Sequence, residues 1–318
     1  MVQLYGTRPR VAACDMHPDY ASSRAAEQSR LPLCRVQHHL AHIAACMAEH
    51  DITPPVLGVA WDGTGHGPDG GVWGGEFLLL TASSWQRVAH LRAFRLPGGE
   101  AAMREPRRAA LGLLFAAYGD AAFAMTHLAP VADFSSAEHK VLRAMLTRGL
   151  NAPVTTSIGR LFGAFAALCG LRQRSSYEGQ AASALQWAAD GRATGRVYAL
   201  PLVDTGDGPI IIDWEPALAA LLADLRSDVS SGAISEALHN GLAAAIAAVA
   251  LRIGERRVVL TGGCFQNVRL TEASVAALGA AGCAPAWHRR IPLNDGGIAA
   301  GQAIWAAWHS SEAQFPCA

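Results

Sequence analysis

The segment RVVLTGGCFQN at residues 257–267 joins a short apolar run, typical of a buried strand, to a glycine pair and then to a helical pattern. The same order recurs where a run at 284–288 leads into PLNDGG at 292–297 and a further helix. Such junctions place free backbone N–H groups at helix N-termini, and two in succession face the same edge of a sheet. We therefore expect an α/β fold with a cradle for nucleotide phosphates at that edge.

The two junctions also supply candidate ligand-binding residues. Gly262, Gly263 and Gly296 allow backbone N–H groups to approach phosphate oxygens without a Cβ in the way. Asn267, placed one turn into its helix, could bond a base or a sugar, and Asp295, which precedes a glycine pair, could reach a metal ion. Each loop alone is a weak signal, and the two together favour nucleotide binding.

The rest of the chain alternates short β-type runs with longer alanine-rich helical ones, as expected when helices pack on a sheet. We predict two lobes, one formed by residues 1–150 and the other by residues 151–318. The predicted strands are 10–14, 56–61, 72–80, 197–202, 209–213, 257–260 and 284–288. The predicted helices are 38–50, 106–118, 137–148, 160–169, 179–190, 215–226, 234–253, 265–281 and 296–309.

Composition narrows the class of protein. Among 318 residues, Lys+Arg and Asp+Glu both number 26, so the net charge is zero, which argues against a general nucleic-acid binder. Apolar runs such as 242–251 are shorter than the roughly 18 residues that span a bilayer. The first ten residues lack the apolar segment of a secretory signal, and the seven cysteines form no C-x-x-C pair. We expect a cytoplasmic protein with reduced thiols.

A histidine pair opens the helical pattern after VQ at 36–37. His38 and His42 are four residues apart, so both imidazoles project from one face of a helix and can bind one metal ion. His39 points elsewhere, and no Glu follows the first histidine as it would in a zinc protease of the H-E-x-x-H type. The alternative is a helix N-terminus that carries ordinary surface histidines.

The segment AWDGTGHG at 60–67 is predicted to be a strand that ends in a glycine-rich turn. Gly63 and Thr64 would let the backbone approach a phosphate, and Asp62 could hold a metal ion or a water molecule beside it. The motif alone is a weak signal, because an ordinary hairpin has the same residues.

Three further features each have a functional and a bland interpretation. The arginines of REPRR at 104–108 suit phosphate or carboxylate recognition, or they form a solvated helix end. The loop at 175–180 is unremarkable by itself. Cys264 lies near a helix N-terminus, which lowers a thiol pKa, but buried inert cysteines are commoner.

Taken in order along the chain, nine segments resemble the HypF family, the carbamoyltransferases of [NiFe]-hydrogenase maturation. More distantly, the chain is similar to TsaD, the tRNA threonylcarbamoyl transferase, and to the actin-type ATPase superfamily. The segments are DMHPDY at 15–20, VQHHLAH at 36–42, AWDGTGHG at 60–67, WGGEF at 73–77, FRLPGGE at 94–100, REPRR at 104–108, SYEGQAA at 176–182, TGGCFQN at 261–267 and PLNDGGIAAGQA at 292–303.

The resemblance implies a two-lobed actin-like ATPase fold of the TsaD/HypF type, with a cleft for carbamoyl-adenylate, formed from ATP and leaving AMP, and for an iron or zinc ion. It implies that the metal ligands are His38, His42, Asp62 and Asp295, and that the nucleotide contacts include Gly262, Gly263 and Asn267. The implied reaction transfers the carbamoyl group to the C-terminal cysteine of the partner HypE, so this chain supplies no nucleophile. No membrane or nucleic-acid partner is expected.

Two departures from the family pattern leave other functions open. From the resemblance, the segments that precede this domain in full-length HypF, including the YrdC-like domain that makes the adenylate, are expected to be absent, and the first lobe is expected to lack its opening strands. A YrdC-type protein or a full-length HypF would then supply the adenylate. Gly163 occupies the place where relatives carry an Asp that contacts the ribose. The alternatives are a non-catalytic scaffold that binds nucleotide or HypE, and a tRNA threonylcarbamoyl transferase.

Overall fold

A mixed nine-stranded sheet forms the centre of the computed structural model, which describes residue 6 and residues 9–310. The expectation for the first ten residues therefore lies mostly outside the described part, as does Cys317. The strands of the sheet are β3 (Val56–His66), β4 (Val72–Leu80), β5 (Trp85–Leu91), β6 (Phe94–Arg95), β7 (Val154–Thr155), β8 (Leu202–Val203), β9 (Ile210–Ile212), β10 (Arg257–Thr261) and β11 (Ala284–Trp287). Along the sheet the strand order is β11-β10-β3-β4-β5-β9-β8, and β7 pairs with both β6 and β4.

A second, two-stranded parallel sheet precedes it in the chain, formed by β1 (Ala12–Asp15) and β2 (Leu33–Val36). Around the two sheets lie twelve α-helices in the described part of the chain. They are α1 (Ala21–Gln28), α2 (His38–Glu49), α3 (Ala101–Arg104), α4 (Pro106–Tyr118), α5 (Ala129–Ala132), α6 (Ser136–Arg148), α7 (Ile158–Leu168), α8 (Gln180–Ala188), α9 (Glu215–Arg226), α10 (Ser231–Ile253), α11 (Val268–Ala280) and α12 (Ile298–Ser310).

Strand β3 shows why the large sheet is covered on both faces. Its side chains alternate between two cores, as the period of two in a strand requires. Leu57, Val59 and Trp61 pack into the larger core with α4, α7 and α10, whereas Val56 and Ala60 pack into a smaller core with α2. The sheet is thus sandwiched between helices, which confirms the predicted α/β class.

Strands that are far apart in the sequence lie side by side at one end of the large sheet. Strand β10 pairs in parallel with both β3 and β11, with Leu260 opposite Val59 on one side and Trp287 on the other. The carboxyl ends of these three strands therefore meet at one edge. Strands from both predicted lobes contribute to this one sheet, and the boundary at residue 150 remains a prediction.

Helices were predicted better than strands. Helices α4 and α9 have the predicted bounds. The sequence missed β2 and β5, because alternating polar residues such as Arg35 and Arg87 interrupt their apolar pattern. The predicted strand 197–202 is wrong apart from its last residue, since β8 begins only at Leu202. Before β8, the backbone N–H of Tyr198 donates a hydrogen bond to the carbonyl oxygen of Ala237 in α10 rather than to a neighbouring strand.

One helix of the described part, α10, is long and apolar enough to cross a membrane by length and composition. However, 78% of its most apolar window is buried inside the protein. Its apolar residues face the surrounding helices and the sheet, as in the core helix of a globular domain.

Candidate functional site

The histidine pair lies in the first turns of α2 and is buried. The helix begins at His38 because the side-chain carbonyl of Gln37 accepts a hydrogen bond from the Leu40 N–H at 3.0 Å. His38 and His42 are both buried, and so is His39. The alternative of ordinary surface histidines is therefore wrong.

The structure brings the four predicted metal ligands together. One ligand atom from each of His38, His42, Asp62 and Asp295 can be chosen so that all four lie within 4.8 Å of one another. His42 Nε2 is 3.0 Å from Asp62 Oδ2, and His38 Nε2 is 3.5 Å from the same oxygen. Asp295 Oδ1 lies 3.6 Å from His38 Nε2 and 3.7 Å from His42 Nε2.

A break in strand pairing aims Asp62 at this cluster. β3 pairs with β4 up to Trp61 and again from Gly65, with a register shift between them. Irregularities of this kind re-aim side chains and are common beside active sites. The predicted end of the strand at Trp61 is therefore wrong, since β3 resumes and runs to His66. Thr64 lies in the irregular stretch and is half-buried.

Asp295 comes from the other side of the site. It begins a short 3-10 turn, Asp295–Gly297, which is capped by Asn294 through a bond from the Gly296 N–H to the side-chain oxygen at 3.1 Å. The Asp295 side chain is 71% exposed, whereas the other three residues of the cluster are buried. Solvent therefore reaches the cluster from the side of Asp295.

Mutual contacts shift the protonation of the cluster. Burial alone would lower the pKa of His38, but its hydrogen bond to Asp15 and the nearby carboxylates of Asp295 and Asp62 raise that pKa well above its usual value. Burial would raise the pKa of Asp62, but His38 and His42 lower it strongly. His39 forms no ion pair with a described carboxylate, and burial, with the nearby His38, lowers its pKa well below the ordinary value.

The residues fit a divalent cation. His38 Nε2 is buried and has no hydrogen-bond partner among the described residues. Two neutral imidazoles and two carboxylates provide four donor atoms and two negative charges, a set that suits zinc or ferrous iron. An ion at this position would also give the buried His38 Nε2 a bonding partner.

The two glycine loops meet at the ends of β10 and β11, as the sequence predicts. Gly262 has φ +94°, and a Cβ there would overlap the carbonyl oxygen of Trp61 on β3. Its N–H donates to Leu293 O at 3.1 Å and ties one loop to the other. The prediction that this N–H is free for phosphate is therefore wrong, and the role of Gly262 is to permit close approach of the strands.

A cavity of about 370 Å³ adjoins the cluster and shares Asp62 and Asp295 with it. Gly63, Gly263, Asn267 and Gly296 also line it, whereas Thr64 and Gly262 do not. The remaining wall is formed by α3, α4, α7 and the segment around α8, with Met103, Pro106, Phe162, Gly163, Glu178 and Gln186 among the lining residues.

Asn267 differs from its predicted position. It is the N-cap of α11, where its side-chain oxygen accepts from the Leu270 N–H at 3.0 Å. Its amide nitrogen lies 2.8 Å from His239 Nε2. The side chain is thus already engaged by the protein at both ends, so it shapes the cavity wall.

Arg160 is a lining residue that the sequence analysis missed. It is half-buried, and it donates to the backbone carbonyls of Gly63 at 3.2 Å and Met103 at 3.4 Å. Within the described chain no carboxylate lies within ion-pair distance of it, and desolvation lowers its pKa. A guanidinium in a cavity without a paired carboxylate is suited to an anionic ligand. Its position at the start of an ordinary helix gave no signal.

The arginines that sequence singled out serve another purpose. Arg107 is buried and pairs with Glu105, Asp133 and Glu138, while Arg108 pairs with Glu105. They hold the start of α4 in place, so their predicted phosphate role is wrong for these two residues. Cys264 lines the cavity, but burial raises its pKa well above the ordinary value and keeps it a thiol.

Comparisons with known proteins agree with the HypF resemblance. Residues 58–302 match the family "Carbamoyltransferase, Kae1-like Domain, second subdomain", and residues 1–49 match "HypF Kae1-like domain". Carbamoyltransferase HypF of Synechocystis sp. is 41% identical over 315 residues, which cover 95% of this chain and 40% of that protein. A carbamoyltransferase HypF homolog of Cupriavidus necator is 36% identical, and the match covers 96% of this chain and 80% of that protein.

Solved structures show the same fold. A full-length HypF in its phosphate- and nucleotide-bound form superposes with a TM-score of 0.90 at 34% identity, covering 99% of this chain and 49% of that one. HypF of T. kodakarensis gives 0.83 at 29% identity, covering 94% of this chain and 40% of that one. The chain thus spans about two fifths of the length of the Synechocystis relative and about half of the nucleotide-bound structure. By its sequence and its fold, the chain belongs to the HypF carbamoyltransferase family and corresponds to the Kae1-like domain.

Proposed function

We propose that this domain transfers a carbamoyl group from carbamoyl-adenylate to the thiolate of a C-terminal cysteine on a HypE-type partner. The observation that carries the proposal is that the four-residue cluster and the 370 Å³ cavity share Asp62 and Asp295. A metal ion and a nucleotide-sized ligand would therefore be in contact. The names of the relatives and the nucleotide bound to one of them support the same reaction class.

His38, His42, Asp62 and Asp295 would hold the ion, which we propose to be iron or zinc. When bound, such an ion polarises a carbonyl group and stabilises the negative charge that develops on its oxygen. Asp295 is the exposed member of the set, so a substrate would approach the ion from the side of Asp295.

The cavity would hold the adenylate. Arg160 would face its phosphate, because the guanidinium has donors left after its two carbonyl contacts and no described carboxylate lies within ion-pair distance of it. Gly263 and Gly296 leave the backbone accessible on the opposite loops. Gly63, whose carbonyl holds Arg160 in place, links the phosphate region to Asp62.

The chain itself supplies no nucleophile in this scheme. Cys264 is a thiol of raised pKa, so it is poorly suited to attack. The partner's thiolate attacks the carbamoyl carbon, a C–S bond forms, the C–O bond to phosphate breaks, and AMP leaves with the electron pair. The work of this domain is to orient the two substrates and to stabilise charge.

Mass spectrometry of the HypE tail tests the reaction. The protein is incubated with HypE and with carbamoyl-adenylate, or with a YrdC-type domain that makes it. We expect a carbamoyl adduct on the terminal cysteine of HypE and none on a HypE variant that lacks it. Absence of the adduct with well-folded, metal-loaded protein would overturn the catalytic proposal.

A non-catalytic scaffold is the second candidate, and Gly163 is the observation that favours it. It lines the cavity without offering a polar side chain, and a Cβ added there would meet Pro106 Cβ at 3.7 Å, an ordinary van der Waals contact. A scaffold would bind AMP or HypE without forming the adduct. The tRNA alternative has no such support, since the net charge is zero. Among the described residues, Cys14, Cys46, Cys169, Cys264 and Cys283 form no disulfide, which fits the cytoplasmic location that we propose.

A further inference from the structure

We propose that Asp15 is a positioning residue of the metal centre, which orients the His38 imidazole so that Nε2 faces the ion. The inference rests on the metal site of the proposed function. It assigns a role to the small β1–β2 sheet, which lies outside both the cavity and the four-residue cluster.

The contact joins the end of β1 to the start of α2. Asp15 Oδ2 lies 3.0 Å from His38 Nδ1, and both side chains are only 2% exposed. Asp15 is paired in register with Val36 on β2, two residues before His38. The parallel pairing of β1 and β2 therefore fixes the carboxylate beside the ring.

The second oxygen and the backbone of Asp15 are also held. Oδ1 accepts the His17 N–H at 2.8 Å, and the carbonyl oxygen of Asp15 accepts the Ser23 hydroxyl at 3.2 Å. A carboxylate whose other oxygen and whose backbone carbonyl are both bonded has little freedom to turn away from His38. It is pre-organised as an acceptor for the Nδ1 proton.

The identity of the contacted nitrogen gives the contact its meaning. When Nδ1 carries the proton and donates it to Asp15, the lone pair of the neutral ring is on Nε2. Nε2 is the atom that lies 3.5 Å from Asp62 and 3.6 Å from Asp295. Asp15 is thus excluded as a ligand and placed as the carboxylate partner of a metal-binding histidine, an arrangement that also raises ligand basicity.

His42 shows that this support is specific to one histidine. Its Nδ1 is buried and has no hydrogen-bond partner in the described part of the chain. The two ligands of α2 therefore differ, because His38 is oriented through Nδ1 before an ion arrives, whereas the polar contacts of the His42 ring, to Asp62 and Asp295, are at Nε2. Without Asp15, neither imidazole would have a hydrogen-bond partner at Nδ1 among the described residues.

Zinc affinity measured by competition with a chromophoric chelator tests the proposal. Asp15→Asn removes the charge at constant size, and Asp15→Ala removes the acceptor as well. We expect Zn²⁺ binding to weaken by about 10–100-fold, more in the alanine variant. The matched control is Glu27→Gln, which removes an exposed carboxylate that pairs with Arg35 near the same small sheet and should leave Zn²⁺ binding unchanged.

A second readout does not depend on a variant that folds. In Zn²⁺-loaded wild type with ¹⁵N-labelled histidine, NMR should show His38 with a proton on Nδ1 and the metal on Nε2. The reverse assignment would overturn the proposal, and so would Asp15 variants that bind Zn²⁺ within threefold of wild type. If wild type binds no Zn²⁺ or Fe²⁺, the metal centre of the proposed function fails and this inference fails with it.

Discussion

His42 Nε2 lies 3.0 Å from Asp62 Oδ2, although one residue belongs to a helix and the other to an irregular stretch of a central strand. α2 and β3 are held together by packing, with Ile43 filling the space that a side chain at Gly58 would occupy. The contact is therefore set by the core rather than by a flexible loop. Three of the four cluster residues are pre-organised in this way, and Asp295 completes the set from the opposite loop.

Arg160→Gln should weaken AMP binding by about 10–100-fold, because a charged hydrogen bond to phosphate contributes about 1.5–3 kcal/mol. Adenosine has no phosphate, so its affinity should change little. Isothermal titration calorimetry with both ligands measures the difference. Arg174→Gln, which changes an exposed arginine, is the control. Equal losses for AMP and adenosine would show that Arg160 only supports the cavity wall.

Gly163→Asp should raise the affinity for adenosine about tenfold, because the new carboxylate would accept a ribose hydroxyl. Space is available, since the nearest atom to the added Cβ is 3.7 Å away. Gly163→Ala fits the same space without a carboxylate and serves as the control. Calorimetry of both variants decides the matter, and an equal effect of alanine and aspartate would contradict the expected contact.

Glu49→Gln should destabilise the protein by about 2 kcal/mol near neutral pH. Burial would raise the pKa of Glu49, but bonds from the N–H groups of Arg289, Arg290 and Ile291 and from His288 lower it to about 2. A carboxylate whose folded pKa is depressed stabilises the protein above its unfolded pKa of about 4.5, and that contribution is lost as pH falls toward 2.

Urea unfolding of wild type and Glu49→Gln between pH 7 and pH 3 measures this contribution. The difference in unfolding free energy should be full at pH 7 and should shrink below about pH 4.5. A difference that is the same at pH 3 and pH 7 would contradict the role of the charge. Because this loop leads to Asp295, the variant should also bind Zn²⁺ less tightly.

The four residues of the cluster were predictable because their signals are local or belong to the family pattern. The spacing of His38 and His42 places both on one helix face, and the glycine junctions announce the edge where Asp295 lies. Asp62 was identified correctly as a cluster residue although the strand around it was not, since a register shift inside β3 depends on its pairing with β4.

The supporting residues were not predictable in the same way. Asp15, Arg160 and Glu49 act through partners that are 23, 97 and about 240 residues away in the sequence. Nothing in their own neighbourhoods distinguishes them from other charged residues. At REPRR the sequence wrongly predicted an anion site. A cluster of arginines indicates such a site, but here carboxylates distant in sequence, such as Asp133, pair with Arg107.

Metal content, measured by elemental analysis after purification without chelator and reconstitution with Fe²⁺ or Zn²⁺, tests the central claim most directly. We predict about one ion per chain in wild type, little in His42→Ala, and an unchanged amount in His39→Ala, provided that circular dichroism shows each variant to be folded. His39 is a fair control because it is buried in the same helix, yet its ring contacts Gln37 and lies outside the cluster. Wild type without stoichiometric metal, or His42→Ala with as much metal as wild type, would contradict the account.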